Sequence, residues 1–276
     1  MRLISFNIWG GKKYDNLIEF ITEYSDSTDV FCFQEVFKTD EKDIYLEYPR
    51  ADLYGSLHSF SPNSFAYFSE VITEKNLSSF FPDAFNFYSQ VMDEANIHYP
   101  ELRSGFGLAC FVKKGIDVIS FDDPFIVGER GKPFLFDTGE ESVSRCIQNL
   151  TLKKDGNLFS VLNYHGLWNG GGKFDSGDRI LQSQKIRTIM DSISHPKILC
   201  GDLNLRKDTE SLGILKGGMV DLIEEYKIET TRSKLYGKPE KFADYTFVSP
   251  EIIVQNFQVP YSEASDHLPM ILDFEI

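Results

Sequence analysis

Nowhere in the 276 residues does an apolar run approach the roughly 18 that a membrane-spanning helix needs. The opening Met1-Arg2-Leu3-Ile4-Ser5-Phe6-Asn7 has neither the apolar stretch nor the cleavage site of a secretion signal, so a soluble, cytoplasmic chain with no membrane span is expected. Cysteine is scarce: Cys32, Cys110, Cys146 and Cys200 each sit in apolar, strand-like surroundings, with no CxxC pair and no Cys/His spacing suited to zinc. They read as reduced core thiols. Basic residues are in deficit, 28 against 42 acidic, for a formal net charge of −14. A uniformly basic duplex-binding face is therefore disfavoured, because such faces work by displacing counterions from phosphates. A phosphate substrate is not excluded, since a bound divalent cation reverses the field locally. Missing too are a GxSxG elbow, a GxxxxGK[ST] loop and an activated Cys–His pair.

What the chain does have is ordinary globular composition, 42% apolar and 14% aromatic, enough to bury a core without disulfide or metal. There is no repeat, low-complexity tract or linker, so a single domain over 1–276 and a monomer are expected. Strand-like runs fall at Arg2 to Ile8, Asp29 to Val36, Gly107 to Lys113, Ser144 to Lys153, Asn157 to His165, Lys197 to Asn204, Asp244 to Ser249 and Met270 to Ile276. Leu17, Ile18, Phe20, Ile21 and Tyr24 form one helical stripe. A second helix is expected from about Asp178 to Ile193, capped by Ser176 or Asp178. The alternation suits two sheets with covering helices. The stretch 52–101, rich in Ser, Phe and Tyr, reads as an insertion that packs its own aromatics on the core or as an aromatic wall beside a site.

Polar residues recur where strands should end. Asn7 closes the first strand and Gln34-Glu35 closes VFCFQE. Asn163 and His165 share a face of VLNYH, and Asp202 and Asn204 share one at the end of KILCGDLN. Asp244 opens DYTFVS, and Asp266-His267 precedes the last strand. Carboxylates at strand ends are costly unless paired or metal-bound. Glu35, Asp202 and Asp266 supply hard oxygens suited to Mg²⁺ or Mn²⁺, and His165 and His267 can donate to phosphoryl oxygens or exchange protons near neutral pH. The set describes metal-assisted hydrolysis of a phosphate ester by water.

The motifs FNIWGG, FQEV, YHGLW, GDLNLR, DYTFVS and SDHLP, in this order over residues 4–272, resemble the endonuclease/exonuclease/phosphatase superfamily. The resemblance implies an α/β four-layer sandwich, two β-sheets face to face and flanked by helices, with the site at one rim. It implies that Glu35 binds the metal, with Asn7 beside it and Asp266 as a further metal-linked carboxylate. Asp202 and Asn204 would position or activate the attacking water and cradle the phosphate, and Asp244 would orient His267. His165 would contact the phosphate; the abasic-endonuclease branch has tyrosine there, which argues against abasic-site repair. The expected substrate is a phosphate ester, a diester before a monoester, with a nuclease or 5′-tyrosyl-DNA phosphodiesterase acting on nucleic acid ends as the alternative. A catalytically inactive binding module is the reading from another class, and the completeness of the constellation speaks against it. Basic candidates for a polyphosphate substrate, Lys12, Lys13, Arg103, Lys173 and Arg206, are scattered along the chain. The segment 166–178, GLWNGGGKFDSGD, leaves the His165 strand at the expected rim. It is either a flexible connector or a substrate loop, with Asn163, Trp168 and Lys173 as candidate substrate contacts and Lys173 as a mobile charge.

Overall fold

The computed structural model describes residues 1–39, 53–60, 63–72, 104–135, 141–170 and 172–276. Its first strand, β1 (Arg2–Asn7), is buried on both faces, as its near-continuous apolar sequence demands. Ile4 and Phe6 point one way, toward Leu17, Phe20 and Ile21 of helix α1 (Tyr14–Tyr24), where the Phe20 ring meets Phe6 edge-on at 5.3 Å. Leu3 joins the opposite cluster, together with Val30 and Cys32 of β2 (Val30–Thr39). β1 and β2 run parallel, Leu3 opposite Val30 and Asn7 opposite Gln34, with α1 as the crossover that a parallel pair requires.

The same unit recurs later. β10 (Asn157–Tyr164) is parallel to β11 (Lys197–Asp202), with α3 (Gly177–Ser192) between them. Ser176 caps α3, its side chain accepting from the Arg179 N–H at 3.3 Å. The remaining elements are α2 (Leu53–Phe60), β3 (Ser64–Ile72), β4 (Ser104–Lys113), β5 (Asp117–Asp122), β6 (Phe125–Val127), β7 (Pro133–Leu135), β8 (Glu141–Val143), β9 (Arg145–Lys154), α4 (Glu210–Lys216), β12 (Val220–Asp221), α5 (Leu222–Glu225), β13 (Asp244–Val248), β14 (Ile253–Gln258) and β15 (Met270–Glu275).

One sheet has the order β14-β15-β1-β2-β4-β3, the other β12-β13-β11-β10-β9-β5 with β6 on β9, and β7 and β8 form a small hairpin. The two large sheets share one buried cluster, in which Leu3, Cys32 and Cys110 meet Leu150, Leu152 and Val161. Helices flank the outside, giving the expected α/β sandwich. On the outer face of the first sheet Phe6, Phe31, Phe33 and Phe111 are at most 2% exposed. Each contributes roughly 1.5–3 kcal/mol by leaving water, so this face carries much of the sheet's cohesion. All four cysteines are free and buried.

Between the sheets runs a polar seam. Gln34 Nε2 donates to Asn163 Oδ1 at 2.7 Å, Asn163 Nδ2 to Gln148 Oε1 at 2.9 Å, and Gln148 Nε2 to Ser69 Oγ at 3.1 Å. Buried amides must find such partners, and pairing across the sheets fixes how one sits on the other. Asn163 therefore corrects an expectation. It is fully buried in this seam, with Phe33 O also accepting from it at 3.2 Å, and has no face left for a substrate.

Of the aromatic stretch 52–101, the described part belongs to the first sheet. Residues 64–72 are its edge strand, and α2 buries Leu53 and Leu57 while Tyr54 packs on Phe68 and Phe111. The rest of that stretch, and Arg103, lie outside the described residues.

Candidate active site

Parallel strands end together, and side chains at their carboxyl ends share one opening. Asn7 is the last residue of β1, Asp202 the last of β11, and His165 follows β10. Asp244 opens β13 directly opposite Asp202 in antiparallel register. Glu35 arrives differently. It lies within β2, not at its end, at a bulge: the register runs Gln34 opposite Leu108 and then Val36 opposite Gly107, so Glu35 has no partner and adopts φ 60°. The bulge re-aims its side chain out of the pleat, and the left-handed conformation stores roughly 1–3 kcal/mol of strain. Trp9 (φ 50°) and Asn204 (φ 53°) carry the same signature in the same place.

Two glycines let the strands approach. A Cβ on Gly201 would lie 2.0 Å from Tyr164 O, and one on Gly166 would lie 2.0 Å from Leu203 O. With that contact open, Gly166 N donates to Asp202 O at 2.7 Å.

Asp202 Oδ2 is the centre of the constellation. Asn7 Nδ2 donates to it at 3.1 Å, His267 Nε2 lies 3.5 Å away and His165 Nε2 3.7 Å. Its other oxygen accepts from Asn204 N at 2.9 Å. His267 Nδ1 bonds Asp244 Oδ1 at 2.7 Å, and Thr231 Oγ1 donates to the other Asp244 oxygen at 2.8 Å, which fixes the ring. Arg145 Nη1 lies 3.2 Å from His165 Nδ1, and Arg232 Nη1 contacts His267 Nε2.

These neighbours set the ionisation of the group. Burial opposes the Asp202 charge, but His267, Lys173 and Arg232 outweigh it and hold the carboxyl well below its usual range. Burial, and then the charge of Asp266, pushes Glu35 up. Burial, and then Arg145, pushes His165 far down, so it is a neutral imidazole. For His267 burial and Arg232 work against the charge, yet Asp244 and Asp202 prevail and raise it.

The donor set fits a hard divalent cation. Glu35, Asp202 and Asp266 bring three carboxylates to one cavity wall without sulfur, and burial, with the charge of Asp266 behind it, makes Glu35 resist ionisation. Among the described residues, Asp202, Asp244 and His267 are the group whose ligand atoms lie within 4.8 Å of one another, and the Asp244–His267 bond occupies two of those atoms. Asn7 lies between the carboxylates: its Nδ2 bridges Glu35 at 2.9 Å and Asp202 at 3.1 Å, while its oxygen accepts from Trp9 N at 3.0 Å.

The cavity measures about 740 Å³ and collects Glu35, His165, Asp202, Asn204, Asp266 and His267, together with Trp168 and Lys173. Asn204 is spent at both ends of its amide, accepting from Lys173 Nζ at 2.5 Å and donating to Gly166 O at 3.1 Å. Lys173 is therefore no mobile charge; it is 2% exposed and docked. Nor is the loop after His165 a slack connector. Arg179, 1% exposed, reaches from α3 and donates to Gly172 O at 2.8 Å, Leu167 O at 3.3 Å and Asn169 Oδ1 at 3.3 Å, and also to Phe174 O. The loop is wrapped around a guanidinium. Sequence reasoning missed Arg145, Arg232, Tyr236 and Lys238, which also line the cavity. A charge inside the apolar run SRCIQNL was a usable signal for Arg145. Arg232 and Lys238 sit in a polar loop that carries none.

The fold is a two-sheet α/β sandwich, and the sequence matches the Endonuclease/Exonuclease/phosphatase family over residues 4–267. The chain belongs to that family. An endonuclease/exonuclease/phosphatase from Bacteroides vulgatus has a similar structure, with a TM-score of 0.67, 16% identity, and coverage of 100% of this chain and 98% of that one. The mannosyl-6-phosphatase of Bacteroides thetaiotaomicron gives a TM-score of 0.68 at 16% identity with both chains covered at 100%. A humanised TDP2 from D. rerio gives 0.66 at 13% identity, covering 100% and 99%. No curated protein matches the sequence. No described helix is long and apolar enough to cross a membrane.

Proposed function

We propose that the protein is a Mg²⁺- or Mn²⁺-dependent phosphoesterase that cleaves a P–O bond with an activated water. The observation that carries this reading is Asp202, held ionised between two histidines in a cavity that also gathers Glu35 and Asp266. Similar folds bear names as different as mannosyl-6-phosphatase and TDP2, so the fold alone does not choose the substrate.

A divalent ion held by Glu35, with Asp202 and Asp266, would polarise the phosphoryl oxygens and offset their charge. The protein's own groups do the rest. Asp202 positions the attacking water with its ionised carboxylate, which Asn7 and the Asn204 N–H hold in place. Asp244 holds the His267 ring through Nδ1, and the ring, beside Arg232 and Asp202, steadies charge on the phosphate or returns a proton to the leaving oxygen. His165, neutral, donates from Nε2. Asn204 and Lys173 anchor the loop that closes this side.

The test is hydrolysis of activated phosphate esters in chelator and after adding Mg²⁺ or Mn²⁺. Activity should be absent in chelator and return with metal. Asp202→Asn should lose it at any metal concentration, whereas Glu35→Gln should recover partly as metal is raised. Full turnover in excess chelator would overturn the reading.

A further inference from the structure

The cavity wall holds four cations, Arg145, Lys173, Arg232 and Lys238, against three carboxylates. Two of the cations are unusual. Arg145 is 5% exposed and Arg232 8%. A buried guanidinium ordinarily faces a carboxylate, because an uncompensated buried charge is strongly destabilising. Arg145 has none within 4 Å among the described residues: its Nη1 meets a histidine at 3.2 Å, and its Nε has no hydrogen-bond partner. Arg232 reaches His267, stands 3.9 Å from Asp266 Oδ2 and likewise leaves Nε unpartnered. Each arginine contacts a histidine whose Nε2 lies within 3.7 Å of Asp202 Oδ2. Arg145 thus lacks a carboxylate partner, and Arg232 shares Asp266 only at the edge of ion-pair distance.

We infer, building on the hydrolase reading above, that the substrate is a compact phosphomonoester whose terminal phosphoryl group is gripped by Arg145 and Arg232. A monoester dianion has three unsubstituted oxygens. One can turn to each guanidinium and the third to the carboxylate cluster that would hold a cation. A diester has two such oxygens and half the charge, so one of the three positions goes unanswered. Guanidinium forks suit phosphoryl oxygens better than a point charge does. Trp168 works with this arrangement instead of stacking on a base: Lys173 Nζ and Lys238 Nζ lie 5.1 and 4.6 Å from its ring centroid, so the ring orders cations. A cavity of about 740 Å³ suits a small molecule, and the net charge of −14 repels a long polyanion. The diester preference read from the motifs thus gives way to a monoester preference read from the cavity wall. In the reaction water oxygen bonds to phosphorus, the bond to the alcohol oxygen breaks, and a proton passes to that oxygen. The products are an alcohol and orthophosphate.

The experiment compares p-nitrophenyl phosphate with bis-p-nitrophenyl phosphate in Mg²⁺ and in Mn²⁺, and follows thermal melting with and without inorganic phosphate. The parent should favour the monoester at least ten-fold in kcat/KM and melt higher in phosphate. Arg145→Met and Arg232→Met should each erase that preference and the phosphate-induced shift. Arg145→Met should melt no lower than the parent without phosphate, since it removes an unpaired buried charge. Arg145→Lys, which keeps the charge and loses the fork, should retain part of the preference. Equal or faster turnover of the diester would overturn the inference and leave the hydrolase reading standing. So would a phosphate shift that survives in both methionine variants. Turnover of neither ester with either metal would overturn the hydrolase reading, and the inference with it.

Discussion

Gly201→Ala should damage both stability and activity, and its size follows from two distances. Gly201 has φ +136°, and a Cβ there would lie 2.0 Å from Tyr164 O and 3.0 Å from Tyr164 C. Both atoms are backbone of the neighbouring parallel strand, so no side chain can rotate away. The disallowed backbone conformation costs roughly 1–3 kcal/mol and the forced separation of β10 and β11 about 1–3 more. A loss of about 2–6 kcal/mol in urea unfolding is expected. Turnover should fall with it, because Asp202 is the next residue and His165 closes the displaced strand. Gly213→Ala is the internal control. It lies exposed in α4, with nothing within 4 Å of its would-be Cβ, so it should stabilise the helix by about 0.5–1 kcal/mol. If Gly201→Ala unfolds within about 1 kcal/mol of the parent, the close-approach argument is refuted.

His267→Ala should cost roughly 10²–10⁴ in kcat with the fold intact, measured at saturating metal, as should Asp202→Asn. Arg179→Met should loosen the loop it now ties by its guanidinium; KM on small esters should rise more than kcat falls, and proteolysis near 166–176 should speed up. Asp273 is held below its ordinary value of 3.8 chiefly by the hydrogen bond from Arg2. A depressed carboxyl stabilises the fold above that value and loses its contribution as pH falls through the lower, folded one. Asp273→Asn should therefore flatten the stability curve only at acid pH, by a few tenths to about 1 kcal/mol, seen in melts from pH 2 to 6.

The strands that carry the site were legible because they are buried on both faces, and their polar ends stand out against apolar runs. β14 was not, since IVQNFQ is an edge strand with mostly exposed positions and no alternation to detect. β3 and α2 were absorbed into an aromatic stretch that read as an insertion, although β3 is simply the sheet's far edge. Glu35 was found by type, while its position inside a bulge is a matter of register that one strand cannot reveal alone. Asn163 was misassigned because period-two alternation put it on the face of His165, whereas the strand ends at Tyr164 and frees His165 to turn into the cavity. Arg232 reaches the site through a bridge to His267, a contact between segments 35 residues apart that the sequence does not signal.

The central claim, attack of water on phosphorus with a divalent ion in place, is tested most directly by hydrolysing a phosphate ester in ¹⁸O-labelled water. Chelated protein should release no product. With Mn²⁺ restored, the label should appear in the released phosphate and not in the alcohol. Product formed in excess chelator, or label found in the alcohol, would contradict the account.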